Sequence, residues 1–250
     1  MITTEADLNS VAVIIPARFK SSRFPGKPLA KILGKPMIIY VAETAELAVG
    51  RENVFIATDS TEICKVVEEY GFKCIMTSTN NPTGTDRVAE ACTSSYVNQN
   101  IIVNLQGDEP LVKPQDVKKI IAAKLENINT IISTMSHLPS HEKVEDRKVV
   151  KVVTSLQGML MYASRNPIPA TKNGNGSFAY KHGGLYAFTR NELALFNTYK
   201  HKTPLEAEED VEVLRFLESG IPVKMVLINN PSTAVDYPED IETVEKLLKI

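Results

Sequence analysis

Along the first half of the chain apolar residues follow two rhythms. Short, nearly unbroken runs at 11–15, 53–58, 73–76 and 101–105 read as strands buried on both faces. Between them the spacing lengthens to three and four. Met37, Ile38, Val41, Ala45 and Ala48 mark a helix opened by Pro36 and ended near Gly50. A second helix runs through Val66 and Val67 to Gly71, a third follows the loop at 83–87 to about Tyr96, and a fourth spans 114–124. Strands alternating with helices at this spacing predict a three-layer α/β fold with a mainly parallel sheet. Such sheets collect ligands beyond the carboxyl ends of their strands. The loop after Ile15, the pair Thr58–Asp59, the loop at 83–87 and the loop after Leu105 all fall at that edge.

From about Thr130 the rhythm changes. Runs at 130–135, 149–154, 160–163 and 182–188 predict strands of a smaller antiparallel extension, interrupted by a breaker-rich loop from Ser164. Residues 204–219 predict one helix, its core supplied by Leu205, Val211, Leu214, Phe216 and Leu217. Glu206, Glu209, Glu212 and Arg215 then fall on a solvated charged face. A final strand at 222–228 and a helix ending near Leu248 complete the chain, with Asp236 a candidate cap for that helix.

Composition narrows the class. With 250 residues, 43% hydrophobic and 23% charged, the chain matches an ordinary soluble protein of one large domain. A net charge of -2 gives no general drive toward nucleic acid or an anionic membrane. No apolar run reaches membrane-spanning length, and the polar, acidic N-terminus is neither signal nor transit peptide, so a cytoplasmic location is expected. Cys64, Cys74 and Cys92 are odd in number and in no metal-ligand spacing, and are expected to be reduced thiols.

Candidate chemistry concentrates at the predicted carboxyl edge. Arg18, Lys20, Ser21, Ser22, Arg23, Gly26 and Lys27 crowd one strand-to-helix connection, where backbone N–H groups, hydroxyls and cations converge on a polyphosphate. Arg offers a planar fork and Lys a mobile point charge. Pro28 after Lys27 excludes a Walker loop, and G-x-G-x-x-G is absent. Gln106-Gly107-Asp108-Glu109-Pro110 puts an acidic pair on a tight turn beside that loop. This suits Mg²⁺, which takes one or two carboxylates plus water and phosphates. Further along, Arg165 and His182 suit the carboxylate and hydroxyls of a sugar acid, although His182 reads equally as a satisfied strand-edge histidine.

The stretch P-A-R-x-x-S-S-R-x-P-G-K-P-L resembles the N-terminal signature of the 3-deoxy-manno-octulosonate (Kdo) cytidylyltransferases. Further matches follow in order: T-G-T-D-R at 83–87, Q-G-D-E-P at 106–110, Y-x-S-R at 162–165, H-x-G-x-Y at 182–186, L-E-x-x-E at 205–209 and V-D-x-P-E-D at 235–240. The resemblance implies a Rossmann-like nucleotidyltransferase fold, CTP and an acidic ulosonic sugar as substrates, and a homodimer serving lipopolysaccharide or capsule synthesis. It implies nucleotide contacts at Arg18, Ser22, Arg23, Lys27, Thr85, Arg87 and Gln106. Sugar contacts are implied at Gln106, Arg165, His182, Tyr186 and Glu212. Mg²⁺ falls to Asp108 and Asp236, which with Lys27 form the catalytic group. About 1–130 and 220–250 then form the nucleotide-binding core of a single domain, and 131–219 the sugar-binding and dimerisation part. Departures fall on the sugar side: Val213 stands for a Gln, and Asp146-Arg147-Lys148 precedes Lys151 where the pattern is N-P-N-x-V-K. Tyr237 replaces a Thr. An 8-amino variant of Kdo, another acid sugar such as a nonulosonate, and a catalytically inactive nucleotide-sugar-binding protein are the alternatives.

Overall fold

The computed structural model describes residues 9–21, 23–139, 142–170, 172, 180–199, 201–230 and 233–249. Its centre is β1 (Val11–Ala17), buried throughout and two residues longer than the apolar run predicts. Alternate side chains along a strand point to opposite faces. Val11, Val13 and Ile15 accordingly join one apolar cluster, while Ala12 and Ile14 join another on the far side of the sheet. The first cluster is closed by α1 (Met37–Val49) and α4 (Pro114–Glu126), the second in part by α3 (Gly84–Ala91) and α5 (Arg190–Phe196). These are the expected three layers.

Between β1 and α1 lies a two-stranded ribbon, β2 (Lys31–Ile32) and β3 (Lys35–Pro36). β1 pairs in parallel with β4 (Val54–Thr58) and β6 (Ile101–Leu105), and β4 with β5 (Lys73–Met76) beyond α2 (Thr61–Glu69). On the other side β10 (Tyr180–Thr189) enters antiparallel between β6 and β7 (Ile131–His137), and β11 (Val223–Leu227) closes the edge parallel to β7. The main path is β11-β7-β10-β6-β1-β4-β5. β7 and β10 thus belong to the main sheet. Only β8 (Lys151–Thr154) and β9 (Leu160–Ser164) lie off its path as an antiparallel extension. Because β10 runs backwards, its first residues reach the edge where the parallel strands end.

Other expectations are corrected. The single helix at 204–219 is two, α6 (Pro204–Glu209) and α7 (Val213–Glu218), broken where Asp210 takes a left-handed conformation. Val211, Leu214 and Phe216 are buried as expected, but Leu205 is 41% exposed, and Glu206 and Arg215, expected on a solvated face, are wholly buried. The kink rotates α7 relative to α6, so one helical wheel cannot describe both. The third helix ends at Ala91 instead of near Tyr96. Cys64 and Cys74 are joined in a disulfide between α2 and β5, because the short α2–β5 connection brings their Cα atoms to 5.5 Å. Among the described residues, no helix is long and apolar enough to cross a membrane.

A smaller cluster of Ile32, Met37, Leu111, Val235 and Val244 anchors α8 (Asp240–Leu248) beside the ribbon. Asp236 is not the cap of that helix. Its own N–H and that of Tyr237 donate to the Asp240 carboxylate, both at 2.8 Å. This leaves the Asp236 side chain free to turn toward the carboxyl edge of the sheet.

Candidate active site

Loops from distant parts of the chain meet at that edge. The connection after β1 turns at Gly26, whose φ of 70° favours glycine, and its N–H donates to the Phe19 carbonyl at 3.0 Å. That turn delivers Lys27 into a short 3₁₀ segment (Lys27–Leu29). After β6 the chain passes so close to β1 that a Cβ at Gly107 would lie 2.7 Å from the Pro16 carbonyl oxygen. Glycine is required there, and it places Asp108 opposite Lys27. The third loop is tied in by the Val235 N–H, which donates to the Asp108 carbonyl at 2.9 Å.

The Lys27 ammonium is the meeting point. It lies 2.7 Å from the Asp108 carboxylate, donates to the Val235 carbonyl at 2.8 Å, and stands 3.8 Å from Asp236. Arg23 holds the same Asp236 oxygen at 2.8 Å. Asp108 and Asp236 therefore converge on one position filled by a cation. The pair fits a hard divalent ion: each carboxylate keeps access to solvent, and such an ion draws its remaining ligands from water and phosphates. No cage of three or more acidic, His or Cys side chains occurs among the described residues.

On one side lies a cavity of about 460 Å³ lined by Arg18, Arg23, Lys27, Arg87, Gln106 and Asp108 among others. The expected nucleotide residues gather here apart from Ser22, which lies outside the described residues, and Thr85. Arg87 is buried, held by Thr77 at 2.6 Å and Asp59 at 3.1 Å. Thr85 is fully buried and absent from the lining. Its hydroxyl donates to Glu212 and accepts from Asn104 at 3.0 Å, so it braces the loop from behind. Glu212, expected on the sugar side, lines this first cavity instead and accepts the N–H groups of Gly84 and Thr85, each at 3.0 Å. It thereby caps the N-terminal turn of α3. Burial raises its pKa, with the Thr85 and Gly84 hydrogen bonds opposing.

Behind this wall is a buried ionic network that the sequence concealed. The Arg215 guanidinium forks onto Asp86 at 2.7 and 3.1 Å and onto Glu206 at 2.6 and 2.8 Å. It also lies 3.7 Å from the centre of the Phe196 ring. Four hydrogen bonds satisfy a charge with no access to water, and they join α3, α6 and α7 into one support for the 83–87 loop. The sequence signal was the T-x-x-D start of α3, because the run of charges at 206, 209, 212 and 215 otherwise reads as a solvated, slowly rotating face.

On the other side of Asp236 a second cavity, of about 310 Å³, is lined by Glu109, Asp146, Lys148, Lys181, His182 and Asp236 among others. Burial pushes the His182 pKa down to about 4, so the ring is neutral near pH 7, with Nε2 3.0 Å from the Ser133 hydroxyl. Tyr186 is not in the lining. It is buried among apolar side chains, stacked on Phe188 with ring centres 5.8 Å apart and 5.4 Å from His182, and burial raises its phenol pKa well above the usual value. Arg165 is likewise outside both linings. Its guanidinium donates to the carbonyls of Glu209, Arg147 and Asp210 at 2.5–3.0 Å, work that holds loops together. Gln106 lines the first cavity, and its backbone N–H donates at 3.1 Å to the carbonyl of Gly184, which lines the second. Of the departures from the pattern, Asp146 and Lys148 face the second cavity, whereas Val213 is sealed in the core.

Comparison with known proteins identifies the family. Residues 12–228 match the cytidylyltransferase family. A 3-deoxy-manno-octulosonate cytidylyltransferase of Anaeromyxobacter sp. (strain K) is 41% identical over 244 residues, covering 96% of this chain and 98% of its own. An 8-amino-3,8-dideoxy-manno-octulosonate cytidylyltransferase of Shewanella loihica is 39% identical over 247 residues, covering 96% and 99%. The solved structure of a CMP:2-keto-3-deoxy-manno-octonic acid synthetase complexed with CTP superposes with a TM-score of 0.87 at 34% identity, covering 96% and 98%. With a family match over most of its length, relatives about 40% identical over nearly the whole chain and a shared fold, this chain belongs to the cytidylyltransferase family, among the 3-deoxy-manno-octulosonate cytidylyltransferases.

Proposed function

We propose that the chain activates a 3-deoxy-ulosonic acid, Kdo or its 8-amino variant, by transferring CMP to it from CTP with release of pyrophosphate. One observation carries the reading. Lys27 joins Asp108, which lines the first cavity, to Asp236, which lines the second, so the reacting groups of two substrates would meet where the carboxylates converge. The cation-rich first cavity suits a triphosphate and the second an acid sugar. Relatives named for both sugars, at nearly equal identity, support the class of substrate without separating its members.

In the reaction the anomeric hydroxyl forms a bond to the α-phosphorus, its proton passes to solvent water, and the bond from that phosphorus to the pyrophosphate oxygen breaks. Little covalent work falls to the protein; positioning and charge neutralisation carry the catalysis. Asp108 and Asp236 would hold Mg²⁺, which when bound polarises the α-phosphate and lowers the pKa of the attacking hydroxyl. Arg18, Arg23 and Lys27 receive the β- and γ-phosphates as charge builds on the leaving group. Arg87, held rigid by Asp59 and Thr77, presents its charge to the nucleotide at no further ordering cost. Gln106 orients the groups between the cavities.

A cytoplasmic homodimer supplying lipopolysaccharide or capsule precursors completes the proposal. Leu156, fully exposed, and Met161, 66% exposed, on the antiparallel extension support such a contact. The direct test is pyrophosphate release from CTP and Mg²⁺ with Kdo, 8-amino-Kdo and a sialic acid offered in parallel. Release with either octulosonate confirms the reaction. Release with the sialic acid alone replaces the sugar class, and silence with all three removes the enzymatic reading.

A further inference from the structure

A sugar acid brings a carboxylate into the second cavity, and the cavity supplies few charges to meet it. His182 is neutral and already partnered by Ser133. Arg165 lies elsewhere, spent on carbonyls. Lys181 is paired with Glu142 at 2.6 Å. Several carboxylates also border the space, and those of Asp236 and Asp240 are held by Arg23 and by backbone N–H groups.

Lys148 is different. It lines the cavity, its side chain is exposed, and among the described residues it makes no ion pair. Its backbone is fixed by a hydrogen bond from its N–H to the Asp146 carboxylate at 2.8 Å. Lys151, wholly buried, fixes the same segment by donating to the carbonyls of Asp146 and Val149 at 3.0 and 2.6 Å. The ammonium rests 4.3 Å from the centre of the Tyr237 ring, and Arg23 from the phosphate loop lies 5.5 Å from that ring. Positions 148 and 237 both depart from the family pattern, and the fold brings them together. An aromatic face orients a cation but leaves its N–H donors unfilled, and it holds the charge less strongly than a carboxylate would.

We infer that Lys148, aimed by the Tyr237 ring, receives the carboxylate of the acid sugar in the second cavity. This deepens the proposed function and rests on it. Tyr237, next to Asp236 in the chain, is then a positioning residue, holding Lys148 so that the bound carboxylate is registered against the reacting centre. Sharing Tyr237 with Arg23 also joins the sugar side to the triphosphate side through one ring.

The test compares Kdo and 8-amino-Kdo with their C1 primary amides, at saturating CTP and Mg²⁺, in the unsubstituted protein, K148M, K148R and Y237T. Loss of one charged hydrogen bond raises KM for the acid in K148M roughly 10- to 100-fold. The CTP KM should stay unchanged, K148R should recover most of the loss, and the amide should react alike in K148M and the unsubstituted protein. Y237T should raise the acid KM by a smaller factor, and by nothing further once Lys148 is already Met. Equal losses for acid and amide would make Lys148 a packing residue and overturn the inference, as would an unchanged KM. Absence of turnover by the unsubstituted protein with either acid would instead sink the proposed function, and this inference with it.

Discussion

At the scale of single residues, the site depends on which charges are already neutralised. Lys27 contacts Asp108 and Asp236 while Arg23 contacts Asp236, so each carboxylate is balanced. Asp108→Ala should lower turnover more than about 100-fold, in line with loss of a charge acting on the transition state, and leave the circular dichroism spectrum unchanged. A folded, fully active variant would remove Asp108 from the reaction. His182 gives a prediction in pH. Its folded pKa, near 4, lies below the ordinary 6.5, so the unfolded chain binds the extra proton between those values. Stability should therefore fall as pH drops from about 6.5 to 4, and His182→Gln should flatten that part of the profile in chemical denaturation. An unchanged slope would mean that the ring is solvated.

At the scale of elements, the break between α6 and α7 decides what the acidic run does. On one continuous helix Glu206 and Arg215, nine positions apart, would point to opposite faces; the break at Asp210 lets Arg215 fork onto both Glu206 and Asp86. Removing Arg215 strands two buried carboxylates, a loss of about 3–5 kcal/mol in similar cases. Arg215→Met should show that loss by urea denaturation. Arg215→Lys should recover little, since an ammonium cannot fork onto both acids. Near-native stability in the Met variant would show that the network is replaceable by apolar packing.

At the scale of the whole molecule, two links reach beyond the core. The Cys64–Cys74 disulfide closes a short loop between α2 and β5. Its reduction should lower stability by about 2–3 kcal/mol on chain-entropy grounds. The buried Cys92 thiol, pushed up to about 12, should stay unlabelled by thiol reagents until the protein unfolds. Labelling of three thiols in the native, unreduced protein would contradict both statements. The other link is the dimer contact proposed on the extension. Leu156→Asp combined with Met161→Asp should convert a dimer to a monomer in sedimentation; a dimer that persists would place the contact elsewhere.

The sequence by itself determined the layers and the sheet edge at which the candidate site gathers. Strand runs such as 101–105 are long enough and apolar enough to be buried on both faces, and local periodicity records that directly. Arg18, Arg23, Lys27 and Asp108 were legible because their chemistry sits in short contiguous loops after those strands. Only the tertiary structure decided the rest. It seated β7 and β10 in the main sheet, because pairing partners far apart in sequence leave no local mark. It turned Arg165 onto backbone carbonyls, set Glu212 in the lining of the first cavity, and brought Lys148 to Tyr237 across 89 positions of chain. Side-chain partnership is a matter of distance in space, and a sequence orders residues only along the backbone.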